Sequence, residues 1–443
     1  MTIPVRQWAD LSQDERSRVL SRSEQNVDDL LPVAQKIIDS VVQRGDEAVK
    51  EHTARLDGAP ADLDIVVPAD AFDEAERSLA PEVREALDYA IANVRAVHRG
   101  QLPHDLELTQ VRPGLLAGER TTPIDSVGLY VPRGRGSFPS MLYMLAVPAS
   151  LAGVPKIAVA TPPDAAGEVD AACLYAARRC GVHTVYRVGG VQAIAALATG
   201  TQSVARVSKI VGPGSAYVAA AKRLLRDRVD VGLPAGPSES IILADAGVDA
   251  ERVAVDLLIE AEHGSDSQAL LVTPDVDLAD EVARLAAAHI DATPEPRGGF
   301  LRDVFSGYGG VLVTASLDEA VDVVNAFAPE HLQIRTAAPW ETASRVRNAG
   351  EILLGAHSAF SLANYAAGAN AVLPTGGYAR TWSGVSVADF VKRTSVVEVS
   401  PGAYDEIARH VAVLAEYEGF HWHARALSER PGDASGPAHD RHR

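Results

Sequence analysis

Residues able to do acid–base or metal chemistry fall in a few short runs. In Glu260-Ala261-Glu262-His263-Gly264 an acid and an imidazole stand three apart, which on a helix puts Glu260 and His263 on one face. That spacing suits chelation of a metal ion. It equally suits a histidine set against a helix C-terminus, where the dipole favours its charge. Pro329-Glu330-His331 places a carboxylate beside an imidazole, just past a helical stretch ending at Ala328. Such a pair offers two proton-transfer groups, or it is a polar surface loop. Asn364-Tyr365 and His421-Trp422-His423 add further polar side chains, and Arg133 and Arg135 bring local positive charge just after a strand. That charge suits an anionic ligand or a solvated loop.

Three glycine-rich turns, Gly189-Gly190, Gly212-Pro213-Gly214 and Gly236-Pro237-Ser238, are each expected at or just beyond the carboxyl end of a strand. That is where open α/β sheets bind ligands, and the backbone N–H groups of a following helix start favour anions. None is a complete GxGxxG, and each taken singly is a turn.

The elements that must position these residues alternate from Pro123 onward. The pattern predicts strands at 127–131, 156–160, 184–188 and 209–211, interleaved with helices at 140–152, 169–180, 191–199 and 216–226. A second block predicts strands at 240–243, 269–272, 311–313, 332–334 and 351–354, with helices at 253–263, 280–289 and 317–327. Strands alternating with helices at this spacing imply parallel βαβ units covered on both faces. Residues 1 to about 26 read as a polar helical arm, and from Val27 to His98 the pattern is helical, apart from a short apolar piece at 65–67. After about Ser386 a short helical tail is expected, and Pro, Gly, Asp and His in 429–443 predict a disordered end.

Composition sets the outer limits. At about 150 residues per domain, 443 residues suggest two to four domains with a core large enough to need no staples. The net charge of −18 argues against general nucleic-acid binding. Two cysteines, Cys173 and Cys180, exclude a disulfide framework and a four-thiolate zinc site; seven apart in a helix, they are expected to be packed inside. The most apolar stretch, 138–154, is broken by Pro139, Pro148 and Gly153, so no membrane helix is expected, and the N-terminus carries no signal-peptide pattern. A cytoplasmic protein with no membrane partner is the expectation.

Taken together, the motifs resemble those of the histidinol dehydrogenase family. The matching runs are Gly128-Leu129-Tyr130-Val131-Pro132, Val188-Gly189-Gly190-Val191-Gln192-Ala193-Ile194-Ala195-Ala196-Leu197, Ile210-Val211-Gly212-Pro213-Gly214 and Ala216-Tyr217-Val218-Ala219-Ala220-Ala221-Lys222-Arg223. They continue with Ala235-Gly236-Pro237-Ser238-Glu239, Ala261-Glu262-His263-Gly264, Pro329-Glu330-His331-Leu332 and Val372-Leu373-Pro374-Thr375, and end with Glu418-Gly419-Phe420 and His423. Order and spacing follow the family from about residue 30 to 428.

The resemblance implies an α/β fold of two incomplete dinucleotide-binding-like (Rossmann-like) domains with small N- and C-terminal helical segments. The implied divisions are a helical arm 1–26; a first, catalytic and metal-holding domain, 27–123 plus 241–385; an NAD-side domain, 124–240; a tail, 386–428, completing the neighbouring copy's site in a homodimer; and the disordered 429–443. It implies NAD and zinc as cofactors and oxidation of a primary alcohol to an acid in two NAD-dependent steps, L-histidinol to L-histidine being the family reaction. By position, His331 matches the base for the alcohol proton and Glu330 the residue that activates water in the second step. Tyr130, Gln192 and Ser215 match cofactor positions. Ser238, Glu260, His263, His331, Asn364, Glu418 and His423 match substrate-contacting positions, and Glu260, His263, Asn364 and His423 the zinc ligands.

The chain also departs from the family pattern. Glu260 stands where the first zinc ligand is usually Gln, and Asn364 where the third is usually Asp. The exchange keeps one negative charge and two oxygen donors. Ala371 stands where the family has a substrate-contacting His, Ser215 where it has Asn, and Arg133 where it has Gly near the nicotinamide side. A paralogue acting on another small polar alcohol is the alternative these changes raise, with a catalytically silent NAD-binding protein as a further one.

Overall fold

The computed structural model describes residues 1–21, 27–133 and 136–430; Arg135 and most of the expected disordered end lie outside the described residues. Thirteen strands are described: β1 (Val5–Gln7), β2 (Leu106–Arg112), β3 (Leu115–Pro123), β4 (Val127–Tyr130), β5 (Ile157–Thr161), β6 (Thr184–Arg187), β7 (Lys209–Val211), β8 (Glu239–Ala244), β9 (Gln268–Thr273), β10 (Gly310–Val313), β11 (His331–Arg335), β12 (Glu351–Leu354) and β13 (Val391–Val399). The chain divides into two compact units, Met1–Leu102 with Ile124–Phe390, and Pro103–Pro123 with the chain from Val391.

The first unit carries two parallel sheets, six strands in the order β1-β10-β9-β8-β11-β12 and four in the order β6-β5-β4-β7. Strands β4, β8, β9, β10 and β11 are buried at every residue, as parallel strands covered by helices on both faces must be. The covering helices start on side-chain caps: Asp249 accepts from the N–H groups of Glu251 and Arg252, and Asp275 from those of Asp277 and Leu278. Each cap satisfies donors that a helix start leaves unpaired. The second unit is a three-stranded antiparallel sheet, β13-β3-β2, with the helices Pro401–Tyr417 and His421–Ser428 packed on one another.

Three expectations about organisation are corrected. Residues 103–123, expected to group with 27–102, lie in the second unit, and the helices of 27–102, in one unit with 241–385, pack on the four-stranded sheet. Ala34, Ile37, Val41 and Val49 share a core with Ala160 and Ile194, and Phe72, Leu87, Ile91 and Val94 share one with Leu129 and Val159. The apolar stripes of these helices cover the four-stranded sheet, the element they reach through space rather than along the chain. The N-terminal segment is not purely helical, because Val5–Gln7 adds an edge strand to β10. The tail after Ser386 begins with β13, paired with β3 from Val391↔Pro123 to Val399↔Leu115. Both strands carry charges and are largely solvated, so neither shows the alternation that marks a half-buried strand.

The two sheets present opposite ends to the chemistry. Gly189-Gly190 follows β6 and Gly212 follows β7, at carboxyl ends as expected. Gly236-Pro237-Ser238 instead precedes β8, which corrects its placement: it lies at the amino edge of the six-stranded sheet. His331 and Glu351 open β11 and β12 at that same edge, and His331 is registered with Ser240 and with Glu351. Gly212 has φ +129, and a Cβ there would come 2.0 Å from the carbonyl oxygen of Tyr130. Gly212→Ala is therefore expected to cost about 1–3 kcal/mol through backbone strain, read as a lowered thermal midpoint.

Cys173 and Cys180 are buried free thiols, held up to about 11 and about 12 by burial. Among the described residues no helix is long and apolar enough to cross a membrane.

Candidate active site

The helix Ala250–Ala261 buries Val253, Ala254, Leu257 and Ala261 and runs back beside β8, so its C-terminal end returns to the amino edge of the sheet. Asp256, Glu260 and His263 follow at i, i+4 and i+7 on one stripe. Glu260 is fully buried. Its Oε1 accepts a hydrogen bond from Asn364 Nδ2 at 2.6 Å, and its Oε2 lies 3.1 Å from His263 Nδ1 and 3.9 Å from His331 Nε2. Ser238 Oγ is 3.0 Å from His263 Nδ1.

Glu330 and His331 end the turn after the helix Leu317–Phe327, where Ala328 takes φ 55. Glu330 Oε2 accepts from the Glu239 N–H at 3.0 Å and lies 3.6 Å from His331 Nε2. His331 Nδ1 is 2.5 Å from Glu351 Oε1. Six sequence-predicted residues, Ser238, Glu260, His263, Glu330, His331 and Asn364, are thus brought into one cluster.

The short helix carrying Asn364, Phe360–Tyr365, and the chain just after it are held from the other half of the unit. Tyr143 Oη donates to the Tyr365 carbonyl at 2.6 Å, Asn93 Nδ2 to Ala366 at 2.8 Å, and Asn370 Nδ2 to Met144 at 2.7 Å. Ala371 packs its methyl against the core of that half. From below, the Asp256 carboxylate holds Gln333 at 2.8 Å and pairs with Arg335, while Gln333 also donates to the Ser358 carbonyl at 2.8 Å. This buried network ties helix, strand and loop together one turn from Glu260.

The electrostatics follow from carboxylates packed around imidazoles. Burial would lower the pKa of His331, but Glu260, Glu330 and Glu351 outweigh it and push it up to about 10. Burial would raise Glu260, yet His331 and His263 hold it at about 2. Glu330 is pushed up to about 8 by burial, against the opposing pull of His331. His263 is raised because Glu260 beside it overcomes its desolvation. The pocket therefore draws positive charge inward, and a divalent cation suits it as well as protons do.

The donor set fits zinc: a fully buried carboxylate (Glu260), whose Oε2 lies between His263 and His331, an imidazole and an amide oxygen. Among the described residues no three His, Cys, Asp or Glu side chains are arranged to hold a metal; Glu260 and His263 are accompanied here by an amide, Asn364. His423 and Glu418, the remaining residues predicted to contact metal or substrate, lie in the second unit.

At the four-stranded sheet the observations point to a nucleotide. Gln192 is fully buried with neither amide atom hydrogen-bonded. Tyr130 Oη accepts from the Gly190 N–H at 3.0 Å, at the start of the helix Gly190–Thr199. Ser215 is the N-cap of the helix Ala216–Leu225 and makes no side-chain capping bond. A buried amide awaiting partners and two helix starts suit a phosphate-bearing ligand. Arg133 lies 4.0 Å from Asp164 Oδ2.

Sequence reasoning missed Glu351, Glu239 and the Asp256–Gln333–Arg335 network. Glu351 stands 20 residues beyond His331, and no spacing rule connects positions so far apart on adjacent parallel strands.

Residues 20–431 match the sequence profile of a family described as histidinol dehydrogenase. The chain is 48% identical over 421 residues to a histidinol dehydrogenase of Synechocystis sp., covering 95% of this chain and 97% of that protein. It is also 48% identical over 422 residues to a histidinol dehydrogenase homolog of Cereibacter sphaeroides, with 95% and 96% covered. Among solved structures, a histidinol dehydrogenase from Elizabethkingia anophelis aligns with a TM-score of 0.91 at 31% identity, covering 96% of this chain and 97% of the other.

Proposed function

The chain belongs to the histidinol dehydrogenase family, whose members catalyse the NAD-dependent two-step oxidation of histidinol to histidine, and from that premise we propose the roles of its own residues. The observation that carries the reading is the convergence of Glu330 and His331 with Glu260, His263 and Asn364 at one sheet edge. Glu260, His263 and Asn364, with His423, would hold zinc, and Tyr130, Gln192 and Ser215 would contact NAD. When bound, these groups supply a Lewis acid that acidifies the substrate hydroxyl and a hydride acceptor. His331 Nε2 takes the alcohol proton in the first step. Glu330, buried beside it, removes a proton from water in the second, with its carboxylate oriented by the Glu239 N–H. Ser238, with Glu418, orients the substrate.

The proposed assembly is a homodimer in the cytoplasm in which Glu418 and His423 serve the neighbouring copy's site. Its support is the apolar surface of the second unit: Val413, Leu414, Tyr417 and Trp422 are all more than half exposed, more than an isolated unit ordinarily leaves to water.

The substrate proposed is L-histidinol. A second reading, another small polar alcohol, is favoured by Ala371, whose packed methyl offers the substrate no hydrogen bond; a site that loses a polar partner changes its discrimination. NADH formation by zinc-supplied protein separates the two. Two NADH per L-histidinol supports the first. No turnover on L-histidinol with turnover on a polyol, amino alcohol or sulfonated diol overturns it.

Protein purified without chelator is expected to carry about one zinc per chain, the stoichiometry of a single catalytic site. Elemental analysis checks this, and protein without zinc would refute the ligand set.

A further inference from the structure

Glu351 sits against the one imidazole the proposed chemistry needs as a base. It opens β12 as His331 opens β11, and the two are register partners on adjacent parallel strands. The Glu351 N–H donates to the Glu330 carbonyl at 3.0 Å, and the Gly350 N–H to that of Pro329 at 2.9 Å. Position 350 admits no side chain there, since a Cβ would come 2.5 Å from the Glu330 carbonyl oxygen. The backbone thus sets the Glu351 carboxylate at His331, with Oε1 2.5 Å from Nδ1. Both side chains are under one-tenth exposed. Glu351 Oε2 is buried without a hydrogen-bond partner, so no other donor competes with His331 for this group. On its other side the His331 ring meets Phe360 edge-on, with centroids 6.0 Å apart.

We propose that Glu351 is a positioning residue for the oxidation, holding His331 in the tautomer that carries its proton on Nδ1 and so presenting Nε2 as the accepting nitrogen. A carboxylate can only accept, so when His331 is neutral its one ring proton stays on Nδ1, donated to Glu351, and Nε2 carries the lone pair. Nε2 is the nitrogen that faces Glu330 at 3.6 Å and Glu260 at 3.9 Å, on the side where the chemistry is proposed. In the step served, the alcohol O–H bond breaks and an N–H bond forms at Nε2. The carbinol hydride passes to NAD, so one two-electron oxidation yields the aldehyde, NADH and an imidazolium still hydrogen-bonded to Glu351. The inference rests on the reading of His331 as the alcohol base.

The test compares Glu351→Gln, Glu351→Ala and His331→Asn in the zinc-supplied enzyme, with steady-state kinetics on the alcohol that the wild type oxidises. An amide at 351 has the carboxylate's shape but can turn its NH2 toward Nδ1 and select the wrong tautomer. A positioning role predicts that Glu351→Gln lowers kcat about 10- to 100-fold, with KM nearly unchanged. It also predicts that added formate restores part of the Glu351→Ala rate, and that the Glu351→Gln/His331→Asn double variant is no slower than His331→Asn alone. Wild-type kcat in Glu351→Gln beside an inactive His331→Asn overturns the proposal. So does a loss in Glu351→Ala that formate leaves untouched while KM rises, the pattern of a packing defect. Wild-type kcat in His331→Asn would instead overturn the underlying reading of His331.

Discussion

Glu330→Gln is expected to halt the oxidation at the aldehyde, so that each alcohol molecule yields one NADH where the wild type yields two. The reason lies in what the amide keeps and what it loses. Its oxygen can still accept the hydrogen bond that the Glu239 N–H gives at 3.0 Å, and its volume still fills the buried site, so β8 and β11 keep their spacing. It cannot take a proton from water. A positioned general base contributes about 10²–10⁴-fold, and the second step should slow by that factor. The first step, which uses His331, should persist. The check is NADH stoichiometry with the alcohol, together with the rate when the aldehyde is supplied directly. Two NADH at the wild-type rate would remove Glu330 from the water step.

The second large effect concerns stability. Asp256→Ala is expected to destabilise the first unit by about 3–5 kcal/mol, measured by chemical unfolding. Asp256 and Arg335 are both nearly buried, and removing the carboxylate strands the guanidinium in a site that water does not reach. It also strips Gln333 of one of its two acceptors. The contrasting variant is Asp256→Leu with Arg335→Met, in which both charges go. Breaking a buried pair costs far more than replacing it with apolar groups, so the double variant should recover much of the loss. Equal losses in the single and double variants would show that the shape of the network, rather than the stranded charge, sets its value.

The double variant carries a further consequence for the site. Asp256 stands one helical turn before Glu260, and Gln333 two residues after His331 on the same strand. If the network also fixes the distance between that helix and that strand, the stable double variant should retain its fold and still bind zinc less tightly.

Much of this protein is written locally. Apolar runs such as Ile241–Leu243 and Leu270–Val272 state buried parallel strands, because a strand covered on both faces has no polar side to alternate with. The pairing of Glu330 with His331, and the i, i+3 spacing of Glu260 and His263, are legible because neighbours in sequence or on one helical face are neighbours in space. The family motifs extend this legibility along most of the chain. What the sequence leaves open is long-range. Helices at 27–102 cover the four-stranded sheet rather than the one expected, since an amphipathic stripe specifies that it must be buried but not by which surface. β3 and β13 escape detection because charged, half-solvated strands depend on pairing across some 270 residues for their identity. Glu351 reaches His331 only through the parallel register of β11 and β12, and Asp256 reaches Arg335 only when helix packs on sheet. The sequence by itself determines which chemistry the residues can do and which elements carry them. The tertiary structure decides which nitrogen of His331 is free to act, because that depends on a carboxylate 20 residues away whose position only strand pairing sets.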